Sequence, residues 1–136
     1  MFASLFVGQY FPDDGLLCYA NAGHAPVIYC PENGEARLLP AGNASIGMLP
    51  QAEIIESTVP LGPGDVLVVA SDGFTEAMNQ QDEMFGFERL LEMISRCAGQ
   101  NVETIGAVIQ AVVTTFRGQQ PPSDDQTLVV LKGRSS

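Results

Sequence analysis

The segment Pro63-Gly-Asp-Val-Leu-Val-Val-Ala-Ser-Asp-Gly-Phe-Thr-Glu76 limits the fold of this chain more than any other. Val66 to Ala70 is an unbroken apolar run, too short for a comfortable helix and rich in β-branched residues. Such a run is expected as a strand buried on both faces. Ser71, Asp72 and Gly73 end it abruptly. A carboxylate at the tip of a buried strand is expected to need a metal, a cation or several donors, because an unpaired buried charge is costly. The plainer reading is that Asp72 caps the turn or short helix that follows. Taken alone, the segment favours the plainer reading.

A second acidic site shifts the balance. Near the C-terminus the chain reads Pro121-Pro-Ser-Asp-Asp-Gln-Thr-Leu-Val-Val-Leu131, with two aspartates at the entrance to another apolar strand over about 127–132. Asp72 leaves one strand and Asp124 enters another. If the two are antiparallel neighbours, both carboxylates fall at one edge of the sheet. Hard divalent cations such as Mg²⁺ and Mn²⁺ take oxygen ligands of this kind, commonly a few carboxylates plus water. The bland alternative is a solvated Asp-Asp turn. Spacing alone leaves the two readings level.

The rest of the chain supplies an architecture. Strand signals fall at about 2–11, 15–22, 26–30, 35–39, 53–59, 65–71 and 127–132. Pro12-Asp-Asp-Gly15 reads as a hairpin turn, and Asn33-Gly34 as a second one. Phe87, Leu90, Leu91, Ile94 and Cys97 recur at helical spacing. A second stripe (Val102, Ile105, Ile109, Val112, Val113 and Phe116) begins after Asn101, a suitable N-cap. Antiparallel strands followed by a helix pair predict an α+β fold in a single domain, residues 1–136.

Charge and composition exclude several function classes. Of 136 residues, 46% are hydrophobic and 16% charged, which argues for a packed core rather than disorder. Net charge is −10, and the six basic residues are scattered, so no basic patch exists to track a nucleic acid. Acidity also opposes binding to acidic membranes, and no apolar run is long enough to span a bilayer. The N-terminus lacks the pattern of a secretion signal, and Cys18, Cys30 and Cys97 have no Cys-x-x-Cys spacing. Free thiols and a cytoplasmic location are expected.

Taken in order, the motifs Asn21-Ala-Gly-His-Ala-Pro26, Pro63-Gly-Asp65 leading into Ser71-Asp-Gly-Phe-Thr-Glu76, and Ser123-Asp-Asp-Gln-Thr127 carry a resemblance. Ser45-Ile-Gly-Met48 and Phe85-Gly-Phe-Glu-Arg-Leu90 extend it over nearly the whole chain. The sequence resembles the C-terminal part of the PPM-type, metal-dependent serine/threonine phosphatases, in the bacterial branch that includes SpoIIE and RsbU. The resemblance implies a partial β-sandwich of mainly antiparallel strands with flanking helices. It implies that Asp72 and Asp124 ligate Mn²⁺ or Mg²⁺ and act through the metal, with Asp125 in support. It implies hydrolysis of phosphoserine or phosphothreonine on a regulatory protein in bacterial signalling or stress response.

One departure qualifies that expectation. The family also uses an aspartate from the first half of its domain to bridge two metals, and nothing before Asn21 matches it. Asp13 and Asp14 belong to a turn. The chain thus reads as a domain without its N-terminal elements, weakly active or inactive by itself. Exposed sheet edges would then invite pairing of two copies. The competing readings are a catalytically silent PPM-like binding module and an unrelated acidic domain. His24 is expected to be structural, its ring bonded to backbone. Glu76 is expected to favour a helix N-terminus, and the segment from Met78 to Met84 to form a polar, flexible surface flap near the site.

Overall fold

The computed structural model describes residues 3–24, 26–47, 53–122 and 124–135. Phe2, Ala25, Met48 and Ser123, which entered the strand and motif readings above, lie outside the described residues.

Among the described residues, eight strands and three helices occur in the order β1 (Leu5–Phe11), β2 (Leu16–Ala22), β3 (Val27–Cys30), β4 (Arg37–Leu38), β5 (Gly42–Asn43), β6 (Ser57–Pro60), β7 (Val66–Ala70), α1 (Asp72–Thr75), α2 (Gly86–Cys97), α3 (Val102–Arg117) and β8 (Leu128–Lys132). They build two four-stranded sheets. In the first, β2 pairs with β1 on one side and with β5 and β6 on the other; in the second, the order is β4-β3-β7-β8. All pairings are antiparallel except β2 with β5.

Alternation along the second sheet explains the layering. Val27, Tyr29 and Leu67 pack with Leu17, Tyr19 and Val59 of the first sheet. Their neighbours Ile28, Cys30, Val66 and Val68 turn the other way and pack with Leu90 and Ile94 of α2 and Ile105, Ile109 and Val113 of α3. Successive strand residues face opposite sides, so a continuous apolar run is what a strand between two apolar layers requires. The expectation for residues 66–70 holds: four of the five are buried. The molecule is a sheet–sheet–helix stack, an α+β arrangement.

β8 closes one side of the second sheet with its outer margin unpaired among the described residues. Ser71 N–H donates to the Thr127 carbonyl and Gly133 N–H to the Asp65 carbonyl, so odd-numbered residues of this stretch bond towards β7. The peptide groups of Leu128, Val130 and Lys132 therefore point outward. Val129 and Leu131 are 48% and 41% exposed, over a cleft of about 450 Å³ between the sheets, lined also by Phe6, Leu17 and Val69.

Local turns follow the sequence in part. Gly15 ends the β1–β2 hairpin at φ 63°, and its N–H reaches the Phe11 carbonyl at 2.9 Å. The Asn33-Gly34 turn is present, with Asn33 at φ 60°, but β4 is only Arg37–Leu38. A six-residue connection therefore replaces the tight two-residue hairpin. Asn101 caps α3 as expected, its side chain accepting from Thr104 N–H at 2.8 Å.

Candidate metal site at the edge of the second sheet

The register between β7 and β8 decides where the acids go. Ala70 lies opposite Leu128, so residues 71–73 and 124–127 leave the ladder side by side. Ser71 N–H donates to the Thr127 carbonyl at 2.9 Å. The Ser71 hydroxyl donates to the Asp125 carbonyl at 3.0 Å and accepts from Thr127 N–H at 2.9 Å. The Gln126 side-chain amide donates to the Gly73 carbonyl at 3.1 Å. A Cβ on Gly73 would overlap the Asp125 carbonyl oxygen, so the two backbones meet only because position 73 has none. Asp72, Asp124 and Asp125 thus share one edge of the sheet.

Each carboxylate has its own setting. Asp72 opens α1, and its carbonyl accepts from Glu76 N–H at 2.9 Å, while its carboxylate makes no hydrogen bond among the described residues. One oxygen of Asp124 accepts from Asp125 N–H at 2.7 Å, and the other has no hydrogen bond among the described residues. All three side chains belong to exposed residues. That corrects the expectation of a buried carboxylate at the strand tip: the chain turns out of the sheet at Ser71, and Asp72 meets water. The ion pairs among the described residues are Arg89–Glu83 and Arg96–Glu92, so no basic side chain neutralises this edge.

The chemistry of these donors suits a hard divalent cation, which prefers carboxylate oxygens and water. Their number is small. Among the described residues no three His, Cys, Asp or Glu side chains are gathered closely enough to hold an ion.

Neighbouring residues take structural parts. The Asn21 side chain accepts from His24 N–H at 2.9 Å and donates to the His24 carbonyl at 2.8 Å, so Asn21 closes this turn through the backbone. The His24 ring makes no hydrogen bond among the described residues and lines the cleft between the sheets instead. The expected flap from Met78 to Met84 is a self-bonded loop: Asn79 Oδ1 accepts from Gln81 N–H at 3.0 Å and Glu83 N–H at 2.9 Å. Sequence reading missed Ser71 and Gln126, whose bonds depend on register; Gly73 beside the acid was the available hint.

A profile of the family described as Stage II sporulation protein E (SpoIIE) matches residues 1–134. The chain belongs to the SpoIIE family. The protein IcfG of Synechocystis sp. is 30% identical over 131 residues, covering 96% of this chain and 20% of IcfG. Among solved structures, the RsbU and RsbW domains of Rv1364c from Mycobacterium tuberculosis superpose with a TM-score of 0.78 at 20% identity, covering 96% of this chain and 36% of that one. The Mn-presoaked phosphatase domain of SpoIIE from Bacillus subtilis gives a TM-score of 0.68 at 18% identity, covering 98% and 57%. The fold is therefore that of PP2C-type phosphatase domains. The chain spans about a fifth of its curated relative and less than two-thirds of each of these solved chains.

Proposed function

We propose that residues 1–136 are the portion of a metal-dependent serine/threonine phosphatase domain that carries Asp72 and Asp124 as ligands of Mn²⁺ or Mg²⁺, with Asp125 in support. The observation that carries this reading is the β7–β8 register, which brings 71–73 and 124–127 together in a member of the SpoIIE family. When bound, paired divalent ions supply a water ionised near neutral pH and neutralise charge on a phosphoryl group. The chain's own part is to present uncompensated carboxylate oxygens at an open edge. It offers no cation there to compete with a metal.

The substrate proposed is phosphoserine or phosphothreonine on a regulatory protein, in bacterial signalling within the cytoplasm. Nothing before Asn21 matches the aspartate with which the family bridges its two metals. With an incomplete ligand set, residues 1–136 bind metal weakly and turn over slowly. Equilibrium Mn²⁺ binding, followed by the signal of the free ion, tests the reading. The chain should bind weakly, Asp72→Asn and Asp124→Asn should each remove the binding, and unfolding temperature without metal should hardly move. Unchanged binding in both variants would sink it.

The second reading is a domain that binds a protein partner without catalysis, and the absence of a gathered ligand set among the described residues favours it. Manganese-dependent release of phosphate from a phosphoserine peptide, lost in Asp72→Asn, would remove it. We also propose that the unpaired margin of β8 allows two copies to associate. Sedimentation showing a monomer across a wide concentration range would remove that proposal.

A further inference from the structure

Ser71 occupies the N-cap position of α1 with extended backbone, φ −79° and ψ 164°. A serine there ordinarily turns its hydroxyl back onto the first turn of its own helix, a contact worth about 1 kcal/mol. This one makes no such bond. Its hydroxyl reaches across the sheet, donating to the Asp125 carbonyl and accepting from Thr127 N–H. A hydroxyl both donates and accepts from a single atom, which suits it to bridge a carbonyl and an N–H on the same strand.

The consequence falls on Asp124. Its carboxylate is tied to Asp125 N–H, and the carbonyl of that same Asp125 is held by Ser71. Residues 124–126 lie before β8 begins and have no ladder partner. Their placement relative to Asp72 comes from the Ser71 bridge and from the Gln126 amide on the Gly73 carbonyl. Ser71 immediately precedes Asp72. The Ser71 side chain thus joins the residue before Asp72 to the residue after Asp124.

We propose that Ser71 is a positioning residue of the acidic edge: its hydroxyl sets the separation and orientation of the Asp72 and Asp124 carboxylates, with Gln126 as the second strut. This rests on the reading of those aspartates as metal ligands. Ser71 acts on the cation only through them. Partners that orient metal ligands commonly contribute ten- to a hundredfold in affinity.

The test uses the full 136-residue chain, Mn²⁺ alone as probe, and thermal unfolding without metal as the control for folding. Ser71→Ala is expected to weaken Mn²⁺ binding about tenfold, with unfolding temperature within a few degrees of the parent. Ser71→Thr, which keeps the hydroxyl, should restore binding. Gln126→Ala should weaken it at intact Asp72 and Asp124. Parent-like affinity in a folded Ser71→Ala overturns the proposal, as does failure of Ser71→Thr to rescue while folded. A parent chain with no Mn²⁺ affinity would instead overturn the metal-ligand reading and this proposal with it. Should Ser71→Ala fail to fold, Ser71→Thr and Gln126→Ala still decide the matter.

Discussion

Gly73 and Asp125 meet backbone to backbone, with no room for a side-chain carbon between them. The contact joins the turn after β7 to the entrance of β8. Gly73→Ala would push the Asp125 carbonyl away and strain the Ser71 bridge. We expect a loss of about 1–3 kcal/mol, the usual range for overpacking at a tight contact, seen as a lower urea midpoint. Mn²⁺ affinity should fall in step. A Gly73→Ala chain as stable as the parent would show that the edge adapts freely.

Burial separates the two helices from the margin of β8. Ile105 on α3 is fully enclosed against the second sheet, whereas Val129 on β8 is half exposed over the cleft. Ile105→Ala should cost about 2–5 kcal/mol through lost burial and the cavity left behind. Val129→Ala should cost well under about 1 kcal/mol, because its side chain already meets water. Chemical denaturation of the two variants checks the contrast. Equal losses would mean that Val129 is covered in solution.

Alkaline pH should weaken the fold. Burial pushes the Cys30 thiol up, and the nearby Asp65 carboxylate adds to it. Burial likewise raises Cys97, opposed by a backbone hydrogen bond and reinforced by Cys30. Tyr29 is raised chiefly by burial and also by Asp65, with Arg37 acting the other way. These groups hold their protons more tightly when folded, so above about pH 8.5 the unfolded chain ionises first. Their contribution is fully present below the unfolded values and is lost as pH rises through the folded ones. Unfolding free energy measured from pH 7 to pH 10.5 should decline above that point. A flat profile would contradict the assignment.

Much of the architecture was legible where periodicity is strong. The run from Val66 to Ala70 could satisfy only a strand between two apolar layers, and the stripes on α2 and α3 met the core through Leu90, Ile94, Cys97, Ile105, Ile109 and Val113, whereas Phe87 and Val112 are exposed. Asn101 and Gly15 marked a cap and a turn by residue type alone. β5, the pair Gly42–Asn43, left no signal, since two residues carry no pattern. Its place depends on the Asn43 side chain bonding to the backbone of Asn21 and Ile55. The nearness of 71–73 to 124–127 was anticipated from antiparallel neighbours. The exposure of Asp72 was not, because it follows from the direction in which the chain leaves the sheet. Asp72 was read as the cap of the turn that follows, but Ser71 holds the N-cap position, and its bonds cross between segments distant in sequence.

The outward peptide groups of Leu128, Val130 and Lys132 give this fold a rail on which a foreign extended chain can register. An apolar cleft flanks the rail on the side of the first sheet, and a mixed one bearing Glu103 and Gln110 on the helix side, so a visiting strand greasy on one face and polar on the other would seat best. Soluble yield should accordingly drop as synthesis crowds these molecules together, and a short tethered peptide of that pattern should act as a splint.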